Sequence, residues 1–209
     1  REGKGIGVGA GATARCSAGL QKGKPVTIPR RSTLADGLAV LRVGDNAFPL
    51  ARDHVDHIVK VSEEWIALAI LRYAEREKTV VEGAAAAPLG AMLAGKLPEL
   101  KGKRVVLAVC GGNIDPAVLS RVIQRGLVAD GRLCRFRATI SDRPGGLAAL
   151  SRVIADQGAS IRDISHDRMF SGPDVSAAHA VCTVDTKDHA HIRALYRALT
   201  KAGFPVVKG

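Results

Sequence analysis

Hydrophobic residues in this chain fall into three spacings, and each predicts a different kind of element. An unbroken run of five, Val105-Val106-Leu107-Ala108-Val109, follows charged Lys101, Lys103 and Arg104 and precedes Gly111-Gly112. Such a run, three of its members β-branched, predicts a short buried strand. Asp115-Pro116 then opens a helical spacing, Ala117-Val118-Leu119 to Val122-Ile123, with Gly126 as its stop. Asp115 suits the N-cap and Pro116 the first helical position. Strand, glycine turn and helix together put Cys110 at the carboxyl end of a strand, where open α/β sheets hold ligands. The same unit also describes an ordinary strand-to-helix turn.

Helical spacing recurs upstream. Ala12 to Lys22 predicts a short helix closed by Gly23, and Ala51 to Asp56 another. Ser62, followed by Glu63 and Glu64, caps a long helix whose buried face is Ile66, Ala69, Ile70, Tyr73 and Ala74. Glu82-Gly83 begins an alanine-rich helix, Ala84 to Ala94, ended by Gly95. Between these lie an extended connector forced by Pro25 and Pro29, a loop at Leu34-Ala35-Asp36-Gly37-Leu38, and a short strand, Ile58 to Val61. By pattern, Asp36 serves a turn and Glu82 is a first-turn acid.

Beyond a boundary at Leu127–Gly131 the spacing alternates. Strands are predicted at Leu133 to Ile140, at Ser160 to Arg168 (with Ile161 and Ile164 breaking phase once) and at Ala177 to Val184. Helices are predicted at Leu147 to Gln157 and Asp188 to Ala202. A last strand, Phe204 to Val207, belongs at an edge because of Pro205. The order is strand-helix-strand-strand-helix-strand, the ferredoxin-like arrangement. Two domains are therefore expected, residues 1–129 and 130–209.

A hydrophobic content of 46% supports a real core, and aromatics at only 3% mean that Ala, Val, Leu and Ile build it. No segment has the roughly 18 uninterrupted apolar residues of a membrane span, and Arg1-Glu2-Gly3-Lys4 is no apolar signal region; cytoplasmic residence is the expectation. The four cysteines, Cys16, Cys110, Cys134 and Cys182, form no C-x-x-C, which argues against a zinc site and a disulfide framework. The net charge of +11 divides as +5, +2 and +4 over residues 1–45, 46–128 and 129–209. So dispersed an excess argues against nucleic-acid binding, which needs a clustered basic face, while favouring phosphate or carboxylate ligands. Gly5-Ile6-Gly7-Val8-Gly9-Ala10-Gly11 lacks the preceding strand of a dinucleotide loop. His54 and His57, flanked by Asp53 and Asp56, have no third ligand nearby and read as charged surface.

The wording of several segments adds to this. Val80-Val81-Glu82-Gly83-Ala84-Ala85-Ala86-Ala87, Gly95-Lys96-Leu97, Lys101-Gly102-Lys103-Arg104-Val105-Val106, Cys110-Gly111-Gly112-Asn113-Ile114-Asp115 and Thr33-Leu34-Ala35-Asp36-Gly37-Leu38-Ala39-Val40 closely resemble the C-terminal half of the threonine dehydratase (threonine ammonia-lyase) catalytic domain. The resemblance runs from about Ala12 to the C-terminus. It implies a partial fold type II domain, tryptophan synthase β-like and dependent on pyridoxal phosphate. In that family a Ser or Cys of the C/S-G-G-N motif touches the pyridine nitrogen, so Cys110, Gly111, Gly112 and Asn113, with Glu82 and Gly83, are the implied cofactor-binding residues. The Asp36 loop then lies near the active site. The resemblance also makes Ile6-Gly7-Val8 the end of a strand and puts Gly9 where several relatives carry a metal-binding Glu, so no metal is expected.

Asp142-Arg143-Pro144-Gly145-Gly146-Leu147 looks like the first turn of an ACT domain, the small-molecule sensor that follows such catalytic domains. Free amides at the helix start would receive a ligand carboxylate, with Asp142 meeting its ammonium; alternatively Asp142 only caps the helix and the domain only dimerises. The implied activity is elimination of water from threonine or serine, giving a 2-oxo acid and ammonia, with an amino acid as substrate or effector and a homo-oligomer as the assembly. The family's S-x-F-K-x-R-G motif, which carries the Schiff-base lysine, and its G-G-G-G phosphate cradle do not occur here. The expectation is therefore a C-terminal portion with no catalytic lysine of its own, inactive alone. The alternative is a stand-alone amino-acid-binding ACT module.

Overall fold

Upstream of residue 130, the helix α3 (Glu63–Arg72) is buried over six consecutive residues, Ile66 to Leu71, between two other helices. The computed structural model describes residues 3–29, 31–168 and 176–209. It divides into two compact units, Arg1–Ala129 and Asp130–Gly209.

In the first unit α3 packs against α4 (Gly83–Leu93) and α5 (Pro116–Ala129). Both neighbours approach through glycines. A Cβ on Gly90 would lie 2.9 Å from the Trp65 carbonyl oxygen, and one on Gly126 would lie 2.9 Å from that of Ala67. Gly126 therefore does not stop the helix, as its residue type suggests; it lets α5 run on to Ala129 against the α3 backbone. Enclosure from two sides explains why Ala67, Leu68 and Leu71 join the expected buried face, while Ala74 is only half-buried. Ser62 occupies the α3 N-cap position without a capping bond from its side chain. Asp115 does cap α5, its Oδ1 accepting from the amides of Ala117 at 2.8 Å and Val118 at 3.1 Å.

Strands β1 (Ile6–Ala10) and β2 (His57–Val61) pair in parallel, Ile6 opposite His57. Gly7 and Gly9 of the Gly5–Gly11 stretch thus lie within a strand, with Gly5 and Gly11 just outside its ends. Between the two strands in sequence, α1 (Arg15–Lys22) closes at Gly23, and α2 (Ala47–His54) begins earlier than its spacing suggests. Pro49 sits in the first turn of α2, where its missing N–H costs no internal bond.

The predicted strand at 104–109 is not a strand. The segment has no regular secondary structure, pairs with no strand among the described residues, and is largely exposed, with Val106 95% accessible. Its β-branched run has the propensity, but a strand is completed by a partner's hydrogen bonds, and β1 and β2 pair with each other instead.

The second unit is a four-stranded antiparallel sheet in the order β4-β5-β3-β6. Its strands are β3 (Leu133–Ser141), β4 (Ser160–Asp167), β5 (Ala177–Asp185) and β6 (Val206–Lys208). With α6 (Gly146–Asp156) and α7 (His189–Lys201) the connectivity is the expected ferredoxin-like one. The phase break at Ile161 is an irregularity of the β4–β5 ladder between Ile161 and Asp163. Phe136, Ala138, Ala180, Cys182 and Val184 point from β3 and β5 into one core with Leu150, Ile154, Leu195 and Leu199 from the helices.

That core holds a thiol and a phenol whose ionisation is suppressed. Burial pushes Cys182 from its ordinary 9.0 up to about 11, and Tyr196 from 10.0 up to about 12, with the neighbouring Cys134 adding to the latter. Both groups are neutral when protonated, so the stability they contribute is complete below the unfolded values and is lost as pH rises toward the folded ones. For Cys182 a move from 9.0 to about 11 corresponds to roughly 2–3 kcal/mol. Denaturant midpoints of the second unit are expected to fall steadily between pH 9 and 11, and Cys182→Ala should flatten most of that slope. A slope unchanged in Cys182→Ala would assign the loss to other groups.

Candidate functional site

Three segments far apart in sequence meet at the Glu82 side chain. Glu82 occupies the N-cap position of α4 in extended conformation, one residue before the helix, and its side chain makes no cap bond, so it is not the first-turn acid that its position suggests. Its backbone N–H donates to the Gly111 carbonyl at 3.1 Å. Its carboxylate folds over Gly111: a Cβ there would lie 2.4 Å from Oε1. The same Oε1 is 3.4 Å from where a Cβ on Gly37 would stand. The Asp36-Gly37 turn, the start of α4 and the Cys110-Gly111 corner therefore share one carboxylate.

Local chemistry explains the convergence. Glu63 accepts the Thr33 hydroxyl on Oε1 and the Leu34 amide on Oε2, both at 2.6 Å. Thr33 Oγ1 in turn accepts the Ala35 amide at 3.1 Å. Pinned in this way, the Leu34 carbonyl lies directly against Gly83, where any Cβ would stand 2.1 Å from the oxygen. Asp36 turns its Oδ1 back to its own following amide, Gly37, at 2.8 Å, so it serves the turn. The Arg15 guanidinium donates to the Leu38 carbonyl and closes the loop.

Cys110 is exposed beside this cluster, with Gly112 and Asn113 also exposed and Gly83 buried. Gly112 lies against the Val80 carbonyl, 3.1 Å from the place of its absent Cβ, and its own carbonyl accepts the Ile114 amide at 3.0 Å. The Glu63–Thr33 clamp is the functional feature that sequence reading missed. Glu63 reads as a helix-start acid, and nothing in its spacing signals a partner thirty residues upstream.

In the second unit the turn before α6 holds the expected effector residues. Asp142 is not a helix cap. Its Oδ1 accepts from Arg168 Nε at 2.7 Å and lies 3.6 Å from His166 Nε2. The cap position belongs to Gly145, left-handed at φ 95°. The Arg143 amide donates to Ser141 Oγ at 3.3 Å, and the Gly146 amide donates to the Arg143 carbonyl at 3.1 Å. Pro144 is exposed. The first-turn amides of α6 beyond Gly146 have no intrahelical acceptor.

Elsewhere, Asp53 pairs with Arg52 at 2.8 Å and His57 Nε2 lies 3.3 Å from Glu99. Among the described residues no cluster of His, Cys, Asp or Glu is arranged to hold a metal ion, and no helix is long and apolar enough to cross a membrane.

The family described as pyridoxal-phosphate dependent enzyme matches residues 2–111, and the ACT domain family matches 136–204. An L-threonine ammonia-lyase of Geobacter sulfurreducens is 42% identical over 201 residues, covering 96% of this chain and 50% of that protein. One of Thermotoga maritima is 38% identical, covering 90% and 47%. The chain thus spans about half the length of the curated relatives it matches. Among solved structures, the processed form of threonine deaminase isoform 2 from Solanum lycopersicum superposes with a TM-score of 0.54 at 28% identity, over 58% of this chain and 36% of that one. Maize serine racemase gives 0.52 at 27%, over 58% and 38%.

Proposed function

The chain belongs to the pyridoxal-phosphate dependent enzyme family, and on that footing we propose that residues 1–129 are the C-terminal portion of a threonine or serine ammonia-lyase catalytic domain and residues 130–209 its regulatory ACT domain. The observation that carries this reading is the meeting of Gly37, Glu82 and Gly111 on one carboxylate, with Cys110 exposed at its edge.

The residues present fit the cofactor. The missing side chains of Gly111 and Gly37 let the Glu82 carboxylate lie over the one and beside the other, and Cys110 offers an exposed thiol, a weak donor. Cys110, Gly111, Gly112 and Asn113, with Glu82 and Gly83, are the residues that would hold the cofactor. When bound, pyridoxal phosphate supplies the electron sink for loss of water from the amino acid, giving a 2-oxo acid and ammonia. The protein's part is positional. The Cys110 thiol, unlike a carboxylate, would not hold a ring nitrogen beside it in the protonated form. The Glu63–Thr33 clamp fixes the 33–37 loop, so the carboxylate of Glu82 stays where three segments need it. In the second unit, an amino-acid effector would present its carboxylate to the α6 amides, and its ammonium would compete with Arg168 for Asp142.

A chimera tests both halves of the proposal. This chain is substituted for the matching portion of the Geobacter sulfurreducens L-threonine ammonia-lyase. The product is expected to release a 2-oxo acid from threonine or serine in a manner dependent on pyridoxal phosphate, and isoleucine or valine should alter the rate. Cys110→Ala in the chimera is expected to lower kcat about tenfold or more while leaving the melting temperature unchanged, the size of effect of losing one hydrogen bond to a group whose charge develops. A folded chimera that binds the cofactor but releases no 2-oxo acid would overturn the reading.

A further inference from the structure

A second charged cleft lies in the first unit, between the segment Ser32–Leu34 and α5. It has a volume of about 270 Å³ and brings together Ser32, Thr33, Glu63, Arg121, Val122 and Arg125. We propose that this cleft binds a small tetrahedral oxyanion, free phosphate or a phosphomonoester, through the paired guanidinium groups of Arg121 and Arg125.

Arg121 and Arg125 are one helical turn apart on α5 and so project from the same face. Neither takes part in an ion pair among the described residues. The nearest acid is also committed elsewhere. Glu63 lines the cleft, but each of its carboxylate oxygens already accepts a hydrogen bond, from the Thr33 hydroxyl and the Leu34 amide. Glu64, on the adjacent position of α3, is held below the usual carboxylate range mainly by the Ser62 hydroxyl, and the field of Arg125 is only a minor contributor. Two guanidiniums against one internally satisfied carboxylate leave the cleft net positive. Val122, 1% accessible, forms part of its floor, and an apolar wall strengthens charge interactions by excluding water. The planar fork of Arg presents parallel donors that match the oxygens of a phosphate, and two forks from adjacent turns suit an ion with three or four of them. Ser32 adds a neutral hydroxyl at the rim.

The test is thermal melting of the intact chain, followed by Trp65 fluorescence, at matched ionic strength in chloride, acetate, inorganic phosphate and glycerol phosphate. Phosphate and the phosphomonoester are expected to raise the melting temperature in proportion to the logarithm of their concentration, with chloride and acetate inert. The double variant Arg121→Gln/Arg125→Gln should melt at the chloride temperature in every salt. Arg125→Lys, which keeps the charge and loses the fork, should weaken phosphate about tenfold. Equal stabilisation of the double variant would reduce the effect to a bulk salt response and overturn the proposal, as would acetate matching phosphate, or phosphate and glycerol phosphate both leaving the native chain unchanged. Should the glutamine pair fail to fold, the Arg121→Lys/Arg125→Lys pair, which keeps the charge and loses both forks, takes its place: a phosphate response clearly weaker than that of the native chain is expected, and an equal one would overturn the proposal.

Discussion

Gly83→Ala is expected to destabilise the first unit by about 3 kcal/mol or more, at the upper end of what overpacking costs. The added methyl would lie 2.1 Å from the Leu34 carbonyl oxygen, 2.5 Å from its carbon and 2.8 Å from the Ala35 nitrogen. Those are backbone atoms, and they cannot rotate aside. Nor can the segment retreat as a whole. The Leu34 amide is tied to Glu63, the Ala35 amide is tied to Thr33, and Ala35 is fully buried. Either α4 or the 33–37 loop has to move, and both hold Glu82 in place. The measurement is a denaturant melt followed through Trp65, the single tryptophan, with amide exchange at Leu34 to Leu38 as a local readout. Gly9→Ala is the control: nothing lies within 4 Å of its Cβ position, and the change should stay under about 1 kcal/mol. A Gly83→Ala protein as stable as the control would mean that the contact relaxes at little cost.

Phe136→Ala should destabilise the second unit by about 3–5 kcal/mol, the usual cost of deleting a fully buried aromatic ring. Phe136 is 0% accessible on β3, which is bonded to strands on both sides, so the cavity cannot be filled by shifting an edge. Its ring also meets Tyr196 edge-on, with centroids 5.7 Å apart and planes at 80°, an arrangement favourable beyond simple burial. Urea melts followed by circular dichroism and by tyrosine fluorescence would report the loss. Phe136→Leu, which keeps most of the volume, should recover more than half of it; a leucine variant as unstable as the alanine one would point to the ring pair rather than the volume.

Where an element is settled by chemistry within a few residues, the sequence was legible. Asp115-Pro116 starts a helix because cap and first-turn proline act locally, and the carboxylate is found on the two amides it should accept from. The alternation of Leu133 to Ile140 needed only one buried face to be read correctly. The single phase break in β4 marked an actual irregularity in the ladder. Failures came where the outcome depends on a distant neighbour. Val105 to Val109 has the composition of a buried strand, but burial and pairing are supplied by other segments, and here they are not. Gly126 looks like a stop because glycine often ends helices; whether it instead admits another helix depends on Ala67, nearly sixty residues away. The candidate site divides in the same way. Likeness to a family gave Cys110 and Glu82 their place beside a cofactor, whereas residue types alone left Glu82 as a first-turn acid. That Glu82 touches both Gly37 and Gly111, and that Glu63 clamps Thr33, became visible only in the folded chain.

The exposed run at 105–109 gives Lys101, Lys103 and Arg104 a role that no contact map shows. A bare β-competent segment is a template on which identical segments stack into fibrils. Three cations at its entrance, all exposed, make each added copy repel the last, and so act as gatekeepers against self-assembly.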